Sequence, residues 1–220
     1  MNSKIIIGDV HGQLDALSQL LDKIPKEFSP KDICFTGDLI DRGSQSAQTV
    51  DFVIEKGFDV CQGNHEVFMI SNDPIWYEHK GNGGRETLES YKKENNKEFD
   101  VKKFIKHMHW MQGLPLYIEY PDIKNNNGCH LVISHSSIQK VWRFRNDPPS
   151  SRRHEWFAEG VQWDRNLNAK PIDGIYNVFG HTRVDYPKIR DGWACIDGRT
   201  KLFALQFPEM KIYEVDKVIA

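Results

Sequence analysis

Short apolar runs, each closed by a glycine or a polar side chain, recur along the chain and alternate with stretches of helical periodicity. Residues 4–8 form a β-branched run, and Leu14, Leu17, Leu21 and Ile24 follow at helical spacing. Pro25 and Pro30 then interrupt the chain before residues 33–36 turn apolar again. The period passes from that of a strand to that of a helix and back, which predicts strand, helix, strand. Val50, Val53 and Ile54 make a second helical stripe closed by Gly57, and residues 58–61 make a third short run. The first third therefore reads as βαβαβ with a parallel sheet.

Beyond residue 100 the pattern changes. Val101, Phe104, Ile105 and Met108 mark the expected inner face of an amphipathic helix, with Lys102, Lys103 and Lys106 mostly off it. Strand-like runs then dominate, at 116–120, 131–134, 177–179, 193–196, 202–207 and 212–215. So many strands would strain a single open sheet, so two stacked sheets with helices outside are predicted. No internal repeat is present, and one continuous domain over residues 1–220 is expected.

Composition narrows the function classes. The chain carries 29 Lys and Arg against 31 Asp and Glu, a formal net charge of -2, and so lacks the basic excess that a nucleic-acid partner requires. Apolar residues make up 39%, enough for a core, yet no apolar run approaches the roughly 20 residues that span a bilayer. Neither a signal peptide nor a membrane partner is expected. Cys34, Cys61, Cys129 and Cys195 lie far apart with no C-x-x-C pair. That predicts neither a zinc knuckle nor a disulfide framework and suits a cytoplasmic setting.

The residues that close the apolar runs carry the chemistry. They are Gly8-Asp9-Val10-His11-Gly12, Gly37-Asp38, Gly63-Asn64-His65-Glu66, His135 and Gly180-His181-Thr182. Taken singly, each could be a turn or a helix cap. Together they place oxygen and imidazole donors at five strand ends, where the carboxyl edges of parallel strands converge on a crevice. The set Asp9, His11, Asp38, Asn64, His135 and His181 contains no thiolate and suits manganese, iron, zinc or nickel better than calcium or magnesium alone. Six ligands divide into two sites if one carboxylate bridges, and Asp38 is the expected bridge. Two cations about 3.5 to 4 Å apart can bind phosphoryl oxygens and acidify a shared water for in-line attack, which makes a phosphate ester the natural substrate.

These motifs, GDVHG at 8–12, GDLIDRG at 37–43, GNHE at 63–66, LVISH ending at His135 and GHT at 180–182, resemble the PPP-type metallophosphatases within the calcineurin-like phosphoesterases. The resemblance runs from about residue 4 to residue 207. Gly83-Gly84, Thr87-Leu88, Ser90-Tyr91, Leu114-Pro115-Leu116 and Trp163-Asp164-Arg165 look like its bacterial and phage serine/threonine protein phosphatase branch. The resemblance implies an α/β four-layer sandwich, two mixed β-sheets flanked by helices, with a dinuclear centre holding two divalent ions, manganese being the expected metal. It also implies that Asp9 and His11 serve the first ion, that Asn64, His135 and His181 serve the second, and that Asp38 bridges. His65, paired with Asp41, would be the general acid, and Arg42 and Arg165 would hold the phosphoryl oxygens.

These last roles make chemical sense. A leaving alkoxide needs a proton, a carboxylate beside an imidazole favours its protonated form, and arginine presents planar donors to two phosphoryl oxygens. Ser136-Ser137 and Asp197-Gly198-Arg199 depart from the family pattern, and the second places a cation where a small residue is usual. Arg143, Arg145, Arg152 and Arg153, within 142–155, form either a basic rim or a solvated loop. His79, His107, His109, His130 and His154 read as surface or packing residues. The expected activity is a serine/threonine, or dual-specificity, protein phosphatase acting on a phosphoprotein or phosphopeptide. The alternatives are a symmetrical bis(5'-nucleosyl)-tetraphosphatase and, from a different class, a binding module that has lost turnover.

Overall fold

The structure, a computed structural model, describes residues 3–71 and 74–217. The first βαβαβ unit is present as read: β1 (Lys4–Ile7), α1 (Leu14–Lys23), β2 (Ile33–Phe35), α2 (Ser46–Lys56) and β3 (Asp59–Val60), with β1, β2 and β3 parallel. Three helices follow, α3 (Asn64–Ser71), α4 (Pro74–Glu78) and α5 (Gly84–Ser90), and then α6 (Val101–Gln112). The second half contributes β4 (Tyr117–Lys124), β5 (His130–Ser134), α7 (Arg152–Trp163), β6 (Ile175–Phe179), β7 (Lys188–Arg190), β8 (Trp193–Cys195), β9 (Lys201–Phe207) and β10 (Lys211–Asp216).

Two mixed five-stranded sheets result. The first runs β10-β9-β1-β2-β3 and the second β4-β5-β6-β8-β7. In the first, the last two strands return antiparallel beside β1; in the second, β5, β6 and β8 are parallel and the antiparallel β4 and β7 lie at the edges. Strand alternation sorts side chains to the two faces of each sheet. Ile6, Cys34, Leu205 and Phe207 meet Leu131, Ile133, Val178 and Ala194 between the sheets. Ile5, Ile7 and Phe35 point the other way, onto Leu17 and Leu20 of α1 and Val50 and Val53 of α2. On the far side Val132 and Ile175 pack against Phe157 and Val161 of α7. The predicted α/β four-layer sandwich is thus the observed one. All four cysteines are free, and no helix among the described residues is long and apolar enough to cross a membrane.

Helix α6 meets its expected orientation only in part: Phe104 and Met108 pack against the core, and the other two apolar positions do not. Val101 and Ile105 are 56% and 41% exposed, while His107 and Met111 are buried. His107 can turn inward because both ring nitrogens have partners: Nδ1 lies 2.9 Å from the Tyr91 hydroxyl and Nε2 2.9 Å from Asp51. A satisfied histidine then occupies a core position that an apolar count assigns elsewhere. Helix α7 likewise begins inside the arginine-rich stretch, where the Ser151 hydroxyl accepts the His154 amide at 3.2 Å and caps it. Leu17→Ala should therefore cost about 2–5 kcal/mol of stability in urea denaturation. Ile105→Ala should stay within about 0.5 kcal/mol, and a comparable loss at both positions would reject the observed face of α6.

Candidate active site

The polar strand ends meet at one edge of the sandwich. Asp9 and His11 follow β1, and Asp38, Asp41 and Arg42 follow β2. Asn64 and His65 open α3, His135 follows β5, and His181 follows β6. Apart from Arg42 these residues are buried, none more than 5% exposed. Backbone bonds hold the exits together: the amides of Val10 and His11 donate to the Asp38 carbonyl at 3.1 and 3.0 Å, and the Gly180 amide donates to the His135 carbonyl at 2.9 Å. Seven described non-glycine residues have positive φ, and five of them are His11, Asp38, Asp41, Arg42 and His181. Left-handed backbone at such residues is costly, so its concentration here marks a place where geometry is imposed by the surroundings.

Two donor groups share Asp38. His11, Asp38 and His65 offer ligand atoms within 4.8 Å of one another, and so do Asp38, His135 and His181. The imidazole Nδ1 atoms of His11 and His135 lie 2.9 and 3.0 Å from the carbonyls of Ile40 and Thr36, which place the ring proton there and leave Nε2 with a lone pair. Nε2 of His135 then faces other donor atoms, Asn64 Oδ1 at 2.8 Å, His181 Nδ1 at 3.2 Å and Asp38 Oδ1 at 3.4 Å. Nε2 of His181 is buried with no hydrogen-bond partner. Lone pairs converging in this way fit a divalent cation. Asp9 stands slightly apart from both groups: its carboxylate accepts the His181 amide at 3.1 and 3.3 Å and the Thr36 hydroxyl at 3.1 Å. A side chain at Gly180 would collide with it.

The electrostatics agree with this arrangement. Burial opposes ionisation of Asp38, but His135, His65, His11 and Arg42 together hold it well below the usual carboxylate range. Burial pushes His181 down to about 3, with help from His135, and lowers His135 and His11 as well, which favours their neutral forms. His65 goes the other way. Burial opposes its protonation, but the charge of Asp38 and the hydrogen bond and charge of Asp41 outweigh it and raise its pKa. Its Nδ1 lies 2.5 Å from Asp41 Oδ2, and its Nε2 lies 2.9 Å from Arg42 Nη2. A second Arg42 nitrogen, Nη1, contacts His11 Nε2. Arg165 donates to the His181 carbonyl at 3.3 Å.

Every residue expected to bind metal, move the proton or hold phosphate is thus near this edge. Others were passed over. Trp76 donates its indole N–H to both oxygens of Asp41 at 2.8 and 3.0 Å, and Thr87 donates to Asp41 at 2.7 Å. Glu66 accepts the amides of Asp38, Gly63 and Leu39 at 2.9, 2.9 and 2.8 Å. Glu66 and Thr87 stand inside quoted motifs, whereas nothing in the apolar pattern marks Trp76. Asp197 is buried beside Asp9, and Lys217 lies 3.7 Å from it. The departure at Ser136 leaves the turn beside His135 intact, because its hydroxyl donates to the Gly160 carbonyl at 2.7 Å and accepts the Asp164 amide at 3.1 Å. The arginines of 142–155 lie over aromatic rings: Arg143 on Phe144, Arg145 on Trp142 and Arg152 on Trp156.

Residues 4–218 match the calcineurin-like phosphoesterases, and the chain belongs to that family. It is a metallophosphoesterase-type hydrolase, and the family works with divalent metal ions in a dinuclear site. The chain is 27% identical to the asymmetrical bis(5'-nucleosyl)-tetraphosphatase PrpE of Geobacillus sp., over 96% of this chain and 92% of that protein. It is 28% identical to the symmetrical bis(5'-nucleosyl)-tetraphosphatase of Buchnera aphidicola, over 80% of this chain and 56% of that protein. A crystal structure provisionally assigned as a diadenosine tetraphosphatase superposes with a TM-score of 0.65 at 19% identity, covering 99% of this chain and 95% of that one. A serine/threonine phosphatase from Saccharomyces cerevisiae has a TM-score of 0.58 at 15% identity, covering 98% and 80%. At such identities the two structures share the fold alone. The expected phosphoprotein partner is overturned by these findings, since the similar curated proteins are named for dinucleoside tetraphosphates. The motifs report how phosphorus is attacked and are silent on what leaves it.

Binding of a cation to the folded state alone must raise stability. Adding manganese to chelator-treated protein should raise Tm, with a gain of about 2.7 kcal/mol at a hundredfold excess over Kd. Asp38→Asn should lose most of that gain in the same thermal-shift titration. An unchanged gain in the variant would remove Asp38 from the cation site.

Proposed function

We propose that this chain is a divalent-metal-dependent bis(5'-nucleosyl)-tetraphosphatase. The observation that carries the reaction is the pair of donor groups sharing one buried carboxylate, Asp38, the first of which includes the His65 imidazole held by Asp41. The substrate reading is supported by relatives that align over nearly the full length of the chain and are named for that activity. Asp9, His11 and Asp38 would hold one ion, and Asp38, Asn64, His135 and His181 the other. The ions supply, when bound, Lewis-acid polarisation of the phosphoryl group and of the attacking water.

The remaining work falls to this chain's own side chains. Arg42, placed between His11 and His65, orients the phosphoryl oxygens. Arg165 does so from the His181 side. His65 would deliver a proton from Nε2 to the leaving phosphate oxygen once the Arg42 donor that faces this nitrogen at 2.9 Å turns to the phosphoryl oxygens, while Asp41 holds its Nδ1 proton and keeps the ring oriented. Trp76 and Thr87 in turn fix Asp41, so the acid is set by packing before substrate arrives.

Manganese-loaded protein should hydrolyse diadenosine tetraphosphate with a kcat/KM well above that for a phosphoserine peptide. Chromatography of the products reads the bond cleaved: two ADP for symmetrical attack, ATP and AMP for asymmetrical attack. Peptide preference would reject the reading. A second outcome concerns pH. The folded pKa of His65 is raised, so its protonated form persists to higher pH and is lost as pH rises through that value. Asp41→Asn removes a charge that raises it. The alkaline limb of kcat should therefore move to lower pH, with kcat on the dinucleotide down about 10²–10⁴-fold. An unmoved limb in the pH profile would assign the proton to another group.

A further inference from the structure

Beside the donor groups lies a cleft of about 370 Å³, and His11 and Arg42 of the site form part of its lining. The cleft is lined by the cations Arg42, Lys80, Arg183, Arg199 and Lys217, against Glu86 as the one carboxylate among its described lining residues. A chain of net charge -2 has thus gathered five positive side chains at one opening. They come from four separate connections and the end of β10, so neither sequence adjacency nor one helix face explains the cluster.

The backbone under these side chains is held firmly. Val184 and Gly198 form a parallel bridge, with the Val184 amide donating to the Asp197 carbonyl at 2.8 Å and the Arg199 amide to the Val184 carbonyl at 2.9 Å. Arg183 and Arg199 therefore flank one short ladder and present their side chains from it. Lys217 ties the same wall from behind, its Nζ donating to the Gly198 carbonyl at 3.0 Å. Across the cleft, the Arg42 amide donates to the Gly83 carbonyl at 3.4 Å, three residues after Lys80. Among the described residues no acidic group pairs with Arg42, Arg183 or Lys80 within 4.0 Å. Arg199 reaches only Asp185 at 3.2 Å, in a pair whose side chains are more than half exposed. Such an exposed pair is weak and exchanges readily for a stronger anion. Arg183 and Arg199, carried on this held backbone without a buried acid partner and next to a phosphoryl-cleaving centre, match a row of phosphates, since guanidinium groups bind phosphate oxygens two at a time.

We propose that this cleft holds the polyphosphate chain outside the phosphoryl group being cleaved, with Arg183 and Arg199 on one wall and Lys80 on the other selecting polyphosphates over simple monoesters. The inference rests on the dinucleoside tetraphosphate reading for its natural ligand but not for its test. A substrate with a single phosphate leaves these side chains unused; one with four phosphates engages them. Arg199, whose side chain reaches only the exposed Asp185, thereby becomes a specificity determinant.

The experiment compares manganese-loaded full-length protein with Arg183→Ala/Arg199→Ala and, separately, with Lys80→Ala on its exposed loop. The first readout is the ratio of kcat/KM for diadenosine tetraphosphate to that for p-nitrophenyl phosphate. The second is inhibition of p-nitrophenyl phosphate turnover by inorganic tripolyphosphate at fixed free manganese, with orthophosphate alongside. The ratio should fall about 10–100-fold in the double variant, mainly through KM, with a parallel loss of tripolyphosphate inhibition, and less in Lys80→Ala. Arg183→Lys/Arg199→Lys should recover part of both. A ratio and an inhibition equal to the parent's in both alanine variants would overturn the cleft while leaving the dinucleotide activity standing. Conversely, a parent that ignores diadenosine tetraphosphate, yet is inhibited by tripolyphosphate in a manner lost in the variants, would keep the cleft and reject the dinucleotide as substrate.

Discussion

A carboxylate removed from water is tolerable only where enough positive or donor groups face it, and that requirement at Asp38 organises the site. His65, whose protonated form is favoured, has Nε2 3.8 Å from the Asp38 oxygens, and the Nε2 lone pairs of His11 and His135, at 3.7 and 3.4 Å, leave the remaining compensation to a cation. The His65 amide donates to Oδ1 at 3.0 Å. Its own backbone is held in turn by Glu66, which gathers the amides of Asp38, Leu39 and Gly63. One buried charge thus locks the exit of β2, the start of α3 and the exit of β5 into a common geometry. The other polar groups at this edge are placed with respect to it.

Holding that geometry is costly. Five site residues sit in left-handed backbone, each worth about 1–3 kcal/mol of strain. The close approaches at Gly63 to Asp38 and at Gly180 to Asp9 leave no room for a side chain. The two sheets offset this cost by burying apolar layers on both faces, so the strained turns hang from strands that cannot shift. Placing the chemistry at the carboxyl ends of parallel strands lets the core supply rigidity while the exits supply donors.

Charge is distributed differently from its density in the sequence. The richest run of arginines, in 142–155, is absorbed by stacking on Phe144, Trp142 and Trp156 and does not line the cleft. The cations that do line it are scattered singly over more than half the chain. Such a field of separated cations offers more contacts to an extended anion than to a single phosphate.

Asp9, His11, Asp38, Asn64, His135 and His181 were legible in the sequence because each closes an apolar run with a donor, and because strand ends in a parallel sheet share an edge. Two stacked sheets were legible as well, because strand-like runs outnumbered what one sheet accommodates. The inner face of α6 was legible only at Phe104 and Met108, since His107 is buried through partners, Tyr91 and Asp51, that lie 16 and 56 residues away. Nor was the support of Asp41 by Trp76, 35 residues on, or the gathering of Lys80, Arg183, Arg199 and Lys217 around one opening. Local pattern encodes which residues end an element and with what donor. Which distant side chain satisfies a buried polar atom, and which cations share a cleft, depends on contacts between segments that no periodicity records, and the tertiary structure alone decides them.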